Sequence, residues 1–141
     1  MKGFTMIEIL LTMAMIVILA GITIPFYSQY NKSSLQIDSG MVVDSIRTAE
    51  IFAMTQKNDS GWGVHFQSGK IIIFKGDSFE NREIFFDEEI DVNDNYIFLG
   101  LNDIFFSPFS GIPNKTGVVV LKNQDGIKKE FVINKKGTIT Y

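Results

Sequence analysis

The spacing of hydrophobic residues changes twice along this chain, and each spacing predicts a different element. Residues 9–26 are almost continuously apolar. As a helix that rises about 1.5 Å per residue, this run reaches roughly 27 Å, close to the thickness of the hydrocarbon core of a bilayer. The sequence therefore predicts a membrane-spanning helix at the start of the chain.

After Tyr27 the chain becomes more polar but keeps helical spacing. Apolar residues recur at steps of seven, four, three and four, which places them on one stripe of an amphipathic helix: Leu35, Val42, Ile46, Ala49 and Ala53. Residues 58–61, with the sequence Asn-Asp-Ser-Gly, are a stop signal. Gly21 and Pro25 predict a flexible joint, because proline removes a backbone hydrogen bond from a helix.

From Trp62 the apolar period becomes two, which is typical of strands. Residues 62–66 and 70–74 flank Gln67-Ser68-Gly69 and predict a hairpin. Further strands are predicted at residues 83–86, 96–99, 103–106, 118–121, 129–133 and 138–141. The predicted fold class is α+β: a long N-terminal helix, with a membrane half and an amphipathic half, packed on a mostly antiparallel β-sheet or two-sheet sandwich.

Composition and charge add two expectations. The chain has 141 residues, of which 45% are hydrophobic, and it contains no cysteine, so packing alone is expected to stabilise a single modest domain. Residues 59–103 hold ten acids and three bases, whereas residues 115–141 hold six bases and two acids. Two solvated faces explain this asymmetry most simply, and complementary charge between stacked subunits is the alternative.

The sequence offers little that points to catalysis. His65 is the only histidine, and on a strand between Val64 and Phe66 it is expected to be structural or exposed. The acidic segment 91–95 is similar to the start of a calcium loop, but Tyr96 stands where the required glycine would be, so a polar turn is expected. The sequence predicts no enzyme, no cofactor and no metal site.

Glu8 lies at the head of the apolar run, and Lys2 is the only base before it. A carboxylate in this position costs a few kcal/mol unless it has a partner, so it marks function, and the partner is expected on another chain. A secretory signal peptide would explain the apolar run, but no clean small-x-small cleavage site follows it. A plain membrane anchor would also explain it, but gives no reason for Glu8.

The segment Lys2-Gly3-Phe4-Thr5-Met6-Ile7-Glu8-Ile9-Leu10-Leu11 resembles the signal of type IV pilins and type II secretion pseudopilins. In that family a prepilin peptidase cuts after the glycine, and the new N-terminal residue is N-methylated. The resemblance implies cleavage between Gly3 and Phe4, methylation of Phe4, and roles for Glu8 and Pro25 in filament assembly.

The resemblance also implies a domain plan. Residues 1–3 are the leader, 4–27 the transmembrane and assembly helix, 28–58 the amphipathic helix half, and 59–141 an extracytoplasmic β-rich domain. The implied location is the inner membrane, crossed once, with the C-terminal domain outside, and then a pilus or pseudopilus. The implied partners are the prepilin peptidase, other pilin or pseudopilin subunits, and the inner membrane before assembly.

The later part of the chain has a looser likeness. Residues 60–66, the loop at 106–111 and the closing hairpin that ends at Ile139 are similar to minor pseudopilins of the H class and FimT-like minor pilins. The implied function is that of a minor structural subunit, and a DNA-binding or adhesive minor pilin is the alternative. For the DNA-binding alternative, the candidate phosphate contacts are the C-terminal lysines Lys128, Lys129, Lys135 and Lys136.

Overall fold

The computed structural model describes residues 3–124 and 126–141, except for the side chains of residues 22–34. One α-helix, α1, spans Met6–Met54. The chain divides into two compact units, Met1–Ser34 and Leu35–Tyr141. The second unit holds the C-terminal part of α1 and all the strands that are described.

Eight strands are present in the described residues: β1 (Trp62–Gln67), β2 (Lys70–Lys75), β3 (Glu88–Asp91), β4 (Tyr96–Gly100), β5 (Asp103–Phe106), β6 (Gly117–Asn123), β7 (Lys128–Ile133) and β8 (Ile139–Thr140). They form two antiparallel sheets, with the orders β3-β2-β1-β5 and β4-β6-β7-β8. Short 3₁₀ helices occur at Lys57–Asp59 and Ile84–Phe86.

The predicted hairpin at residues 62–74 is confirmed. β1 pairs antiparallel with β2, with Trp62 opposite Lys75 and Gln67 opposite Lys70. The connection is Ser68-Gly69, and Gly69 has a φ of 77°. Glycine adopts this left-handed conformation without steric cost, which is why it closes a tight two-residue turn.

A single cluster of buried apolar residues forms the core of the second unit. The five stripe positions predicted from helical spacing are all buried, from Leu35 at 7% exposed to Val42, Ile46, Ala49 and Ala53 at 0%. The aromatic strand side chains in the cluster are Trp62, Phe66, Tyr96, Phe106 and Phe131. Removing this apolar surface from water is the main force that holds the unit together.

The membrane half of the predicted fold is wrong. Among the residues that the structure describes, none belongs to a helix with the length and apolar character needed to cross a membrane. This finding overturns the predicted membrane span and the predicted single-pass location in the inner membrane with the C-terminal domain outside.

The predicted architecture is also wrong. It placed one long helix with a membrane half on a mostly antiparallel β-sheet or two-sheet sandwich. The described residues instead form α1, two 3₁₀ helices and two antiparallel four-stranded sheets, with no long apolar helix among them. The consecutive strands β4 and β5 lie in different sheets. Gly100, with a φ of 93°, ends β4, and the Leu101 backbone N–H donates to the Val118 carbonyl at 3.1 Å. This bend sends β5 to the other sheet.

One predicted strand is not a strand. Residues 83–86 were predicted to be one, but Ile84–Phe86 form a 3₁₀ helix in which Phe85 is 92% exposed. The strand that pairs with β2 is β3, with Ile90 opposite Ile71. β3 is an edge strand rich in acidic residues. A charged edge strand buries few side chains, so its sequence lacks the alternation of apolar and polar residues from which a strand is predicted.

Candidate functional site at the start of the helix

The N-terminus of α1 is closed by a reciprocal pair of side chains. The Thr5 backbone N–H and the Thr5 hydroxyl donate hydrogen bonds to Glu8 Oε2, at 3.0 and 2.9 Å, and the Glu8 N–H donates to Thr5 Oγ1 at 3.4 Å. This is a capping box, in which threonine before the helix and glutamate three residues later satisfy backbone donors that the helix leaves unpaired.

The capping box gives Glu8 a partner within its own chain. Sequence reasoning placed that partner only on another chain, although the spacing from Thr5 to Glu8 is itself the sequence signature of the box. The two roles are compatible, because a carboxylate has several acceptor positions on its two oxygens and the two hydrogen bonds that Thr5 donates to it engage only Oε2.

The electrostatics of this end of the helix keep Glu8 anionic. The hydrogen bond from the Thr5 backbone, followed by that from the Thr5 hydroxyl, lowers the pKa of the Glu8 carboxyl. The first turn of a helix also favours negative charge, since the peptide dipoles point their positive ends there. A negative charge is therefore fixed one turn from the start of the helix at neutral pH.

The surroundings of this charge are open and apolar. Gly3, Phe4, Thr5 and Glu8 line a pocket of about 290 Å³. Phe4 is 84% exposed, and the large apolar side chains of residues 6–19 are each between 49% and 82% exposed. Exposed apolar surface of this extent is typical of a surface that another molecule covers.

The predicted cleavage point lies at the edge of this pocket. A Cβ atom added at Gly3 would meet no heavy atom within 4 Å, so the backbone there is accessible from outside. Pro25, the other predicted assembly residue, belongs to residues 22–34, whose side chains the structure does not describe. Its assembly role stays a prediction.

The four candidate lysines are not brought together. Lys128 pairs with Glu130 at 2.7 Å, and the Lys129 Nζ lies 5.5 Å from the Tyr141 ring centroid. Lys135 and Lys136 lie in the turn after β7, roughly 17 Å from Lys128 along the strand. Nucleic-acid binding through these residues stays a prediction, and the contacts found here do not add support to it.

The polar turn expected at residues 91–95 is present. The Asn93 side-chain oxygen accepts a hydrogen bond from the Asn95 N–H at 3.0 Å, and the Tyr96 N–H donates to the Asn93 carbonyl at 3.0 Å. This is the local bonding by which asparagine stabilises turns. In the described part of the chain, no three His, Cys, Asp or Glu side chains are grouped so as to hold a metal ion.

The chain matches no protein-family model, no curated protein and no solved structure. The case for a function therefore comes from the chain's own residues.

Proposed function

We propose that this chain is a minor pilin or pseudopilin. It is a structural subunit that a prepilin peptidase cleaves between Gly3 and Phe4, that is then N-methylated on Phe4, and that assembles through its N-terminal helix. The filament that it joins is a type IV pilus or a type II secretion pseudopilus. Its partners are the prepilin peptidase and the other subunits of that filament.

The observation that carries this proposal is the charge of Glu8 at the head of an exposed apolar helix. Its pKa is lowered by hydrogen bonds from Thr5, so the carboxylate is ionised when subunits meet. The large apolar side chains of residues 6–19 supply surface for helix packing, and packing of such surface is favourable by about 25 cal/mol per Å² buried.

Cleavage after Gly3 supplies the complementary charge. It creates an ammonium on Phe4, four residues before Glu8. When helices of neighbouring subunits pack, the Phe4 ammonium of one subunit pairs with the Glu8 carboxylate of the next. Away from water an unpaired charge is heavily penalised. The pair therefore favours one register between subunits over registers that leave either charge alone.

The filament fraction of the native host tests this proposal. Filaments are sheared from cells and purified, and the chain is measured by immunoblot in a strain with a working assembly ATPase and in one without it. We expect the chain in the sheared fraction only when the ATPase works. Equal amounts in both strains, or none in either despite normal expression, would count against the proposal.

A further inference from the structure

The segment between β2 and β3 covers the outer face of the first sheet. Phe74 and Ile72 point away from the main core cluster, yet they are 0% and 5% exposed. Phe79 of this segment lies edge-on to Phe74, with ring centroids 5.6 Å apart. Residues 76–87 thus cover Phe74, which would be exposed to water if the segment moved away.

A three-layer stack holds this segment in place. The Phe79 ring lies parallel to the His65 ring on β1, with centroids 3.7 Å apart and planes 9° apart. The Arg82 guanidinium lies 3.9 Å from the same Phe79 centroid. Since two groups this close to one centroid cannot share a face, His65 and Arg82 occupy opposite faces of the ring.

The arginine layer of the stack is anchored within the segment. Arg82 Nε donates to Asp87 Oδ2 at 2.8 Å, and Arg82 Nη1 donates to the Phe79 carbonyl at 2.8 Å. Lys75 on β2 also pairs with Glu83 of the segment at 2.7 Å. Two of these three contacts are ion pairs. Histidine is the side chain whose charge ordinarily changes near neutral pH, so His65 is the layer of the stack that can respond to pH.

His65 is poorly placed to carry a charge. Its Nδ1 is buried without a hydrogen-bond partner among the described residues. Burial lowers the pKa of His65, and the Arg82 charge lowers it further, while Asp103 on the neighbouring strand raises it. Asp103 is itself paired with Lys115 at 2.9 Å. Ile72, opposite His65 on β2, is apolar and contributes no charge.

We propose that residues 76–87 form a pH-sensitive cover, which opens from the outer face of the first sheet when His65 takes up a proton. In the protonated ring both nitrogens are N–H donors, and the buried Nδ1 has no acceptor among the described residues. Protonation also places a second cation one ring away from Arg82. Opening hydrates the imidazolium and separates the two cations. It also exposes Phe74, an apolar side chain that is hidden at neutral pH.

The direction of the pH effect follows from linkage. In the open state His65 has its ordinary pKa of about 6.5, and in the closed state its pKa is lower. Above pH 6.5 both states are neutral and closure is fully favoured. As the pH falls from 6.5 towards the pKa that His65 has in the closed state, the open state binds the proton first. The equilibrium constant for opening therefore rises, with a limiting slope of about tenfold per pH unit.

Hydrogen exchange on the full chain measures this opening. Three backbone amides report closure: Gly76 donates to the Gly61 carbonyl, Glu83 to the Lys75 carbonyl, and Asp87 to the Ile84 carbonyl, at 3.0–3.1 Å. After correction for the intrinsic exchange rate, we expect these amides to lose up to about fivefold in protection when the pH is lowered from 6.5 to 5.5, because the open state is already half protonated at pH 6.5. The amides that join β6 to β7 should keep their protection.

Two variants separate the titration from the packing. His65→Gln removes the titrating group, so protection of the three amides should become independent of pH. Phe79→Ala removes the middle layer, so protection should fall at every pH. The proposal is overturned if His65→Gln keeps the wild-type pH dependence, or if the β6 and β7 amides lose protection in parallel, which would mean that the whole unit unfolds.

Discussion

Replacing Glu8 by Gln should lower the amount of this chain in filaments by about 100-fold or more, while cleavage after Gly3 continues. Glutamine keeps an oxygen that accepts the bond from the Thr5 N–H, so the helix cap is retained and only the charge is lost. The Phe4 ammonium of the neighbouring subunit is then left unpaired. Removing one partner of a buried ion pair costs about 3–5 kcal/mol, which corresponds to at least a hundredfold in an assembly equilibrium.

The matched control is Thr5→Ala. This change removes the hydroxyl that bonds Glu8 but keeps the Glu8 charge. Loss of a cap side chain costs about 0.5–2 kcal/mol, so incorporation should fall by much less than for Glu8→Gln. Both variants are quantified by immunoblot of sheared filaments against total cell protein. Equal losses for the two would mean that the cap, rather than the charge, is what assembly requires.

Replacing Trp62 by Ala should destabilise the second unit by about 3–5 kcal/mol. The Trp62 side chain is 1% exposed, and its ring meets the Phe52 ring edge-on at a centroid distance of 4.9 Å. Its indole N–H donates to the Lys57 carbonyl at 2.8 Å. The variant therefore loses a large packed volume and also leaves a carbonyl without its donor. A typical domain has only about 5–15 kcal/mol of stability, so much of it would be lost.

Urea unfolding followed by circular dichroism gives this loss directly. Phe85→Ala is the control, because Phe85 is 92% exposed and its removal should change stability by no more than about 0.5 kcal/mol. Trp62→Phe should lie between the two, since it keeps an aromatic ring but loses the hydrogen bond to Lys57. A Trp62→Ala loss no larger than that of Phe85→Ala would contradict the position assigned to Trp62 in the core.

Periodicity predicted the parts of this fold that depend on burial of one face. The helical stripe of Leu35, Val42, Ile46, Ala49 and Ala53 is buried as its spacing requires. The first hairpin formed where a two-residue turn with glycine separates alternating runs. The helix and the two strands of the hairpin each contribute one face to the core cluster, so the spacing of apolar residues within each segment is enough to predict its secondary structure.

Periodicity failed where contacts between distant residues decide the structure. Residues 83–86 are rich in the β-branched and aromatic residues typical of strands, but the position beside β2 is taken by β3, and no signal in a short segment tells which of two neighbours will pair. The stack of His65 on Phe79 joins a strand to a loop 14 residues later, and it was likewise not predicted. The membrane span was inferred from hydropathy and length alone, and the described helix does not meet those requirements.

The candidate site was predicted unevenly. Gly3, Phe4 and Glu8 were singled out by their resemblance to a processing signal, and their roles in processing and assembly stay predictions. The role of Thr5 was missed, although the spacing of a capping box was present in the sequence. The candidate lysines lie on a strand and in the turn that follows it, at different places on the surface, and their role in binding phosphate stays a prediction.

Mass spectrometry of the mature N-terminus tests the central claim most directly. The chain is purified from its native host with a working prepilin peptidase, and its N-terminal peptide is sequenced. We expect that peptide to begin at Phe4 and to carry one extra methyl group on the Phe4 nitrogen. A peptide that begins at Met1, or at any residue after Tyr27, would contradict the proposed processing and with it the pairing of Glu8 with a neighbouring subunit.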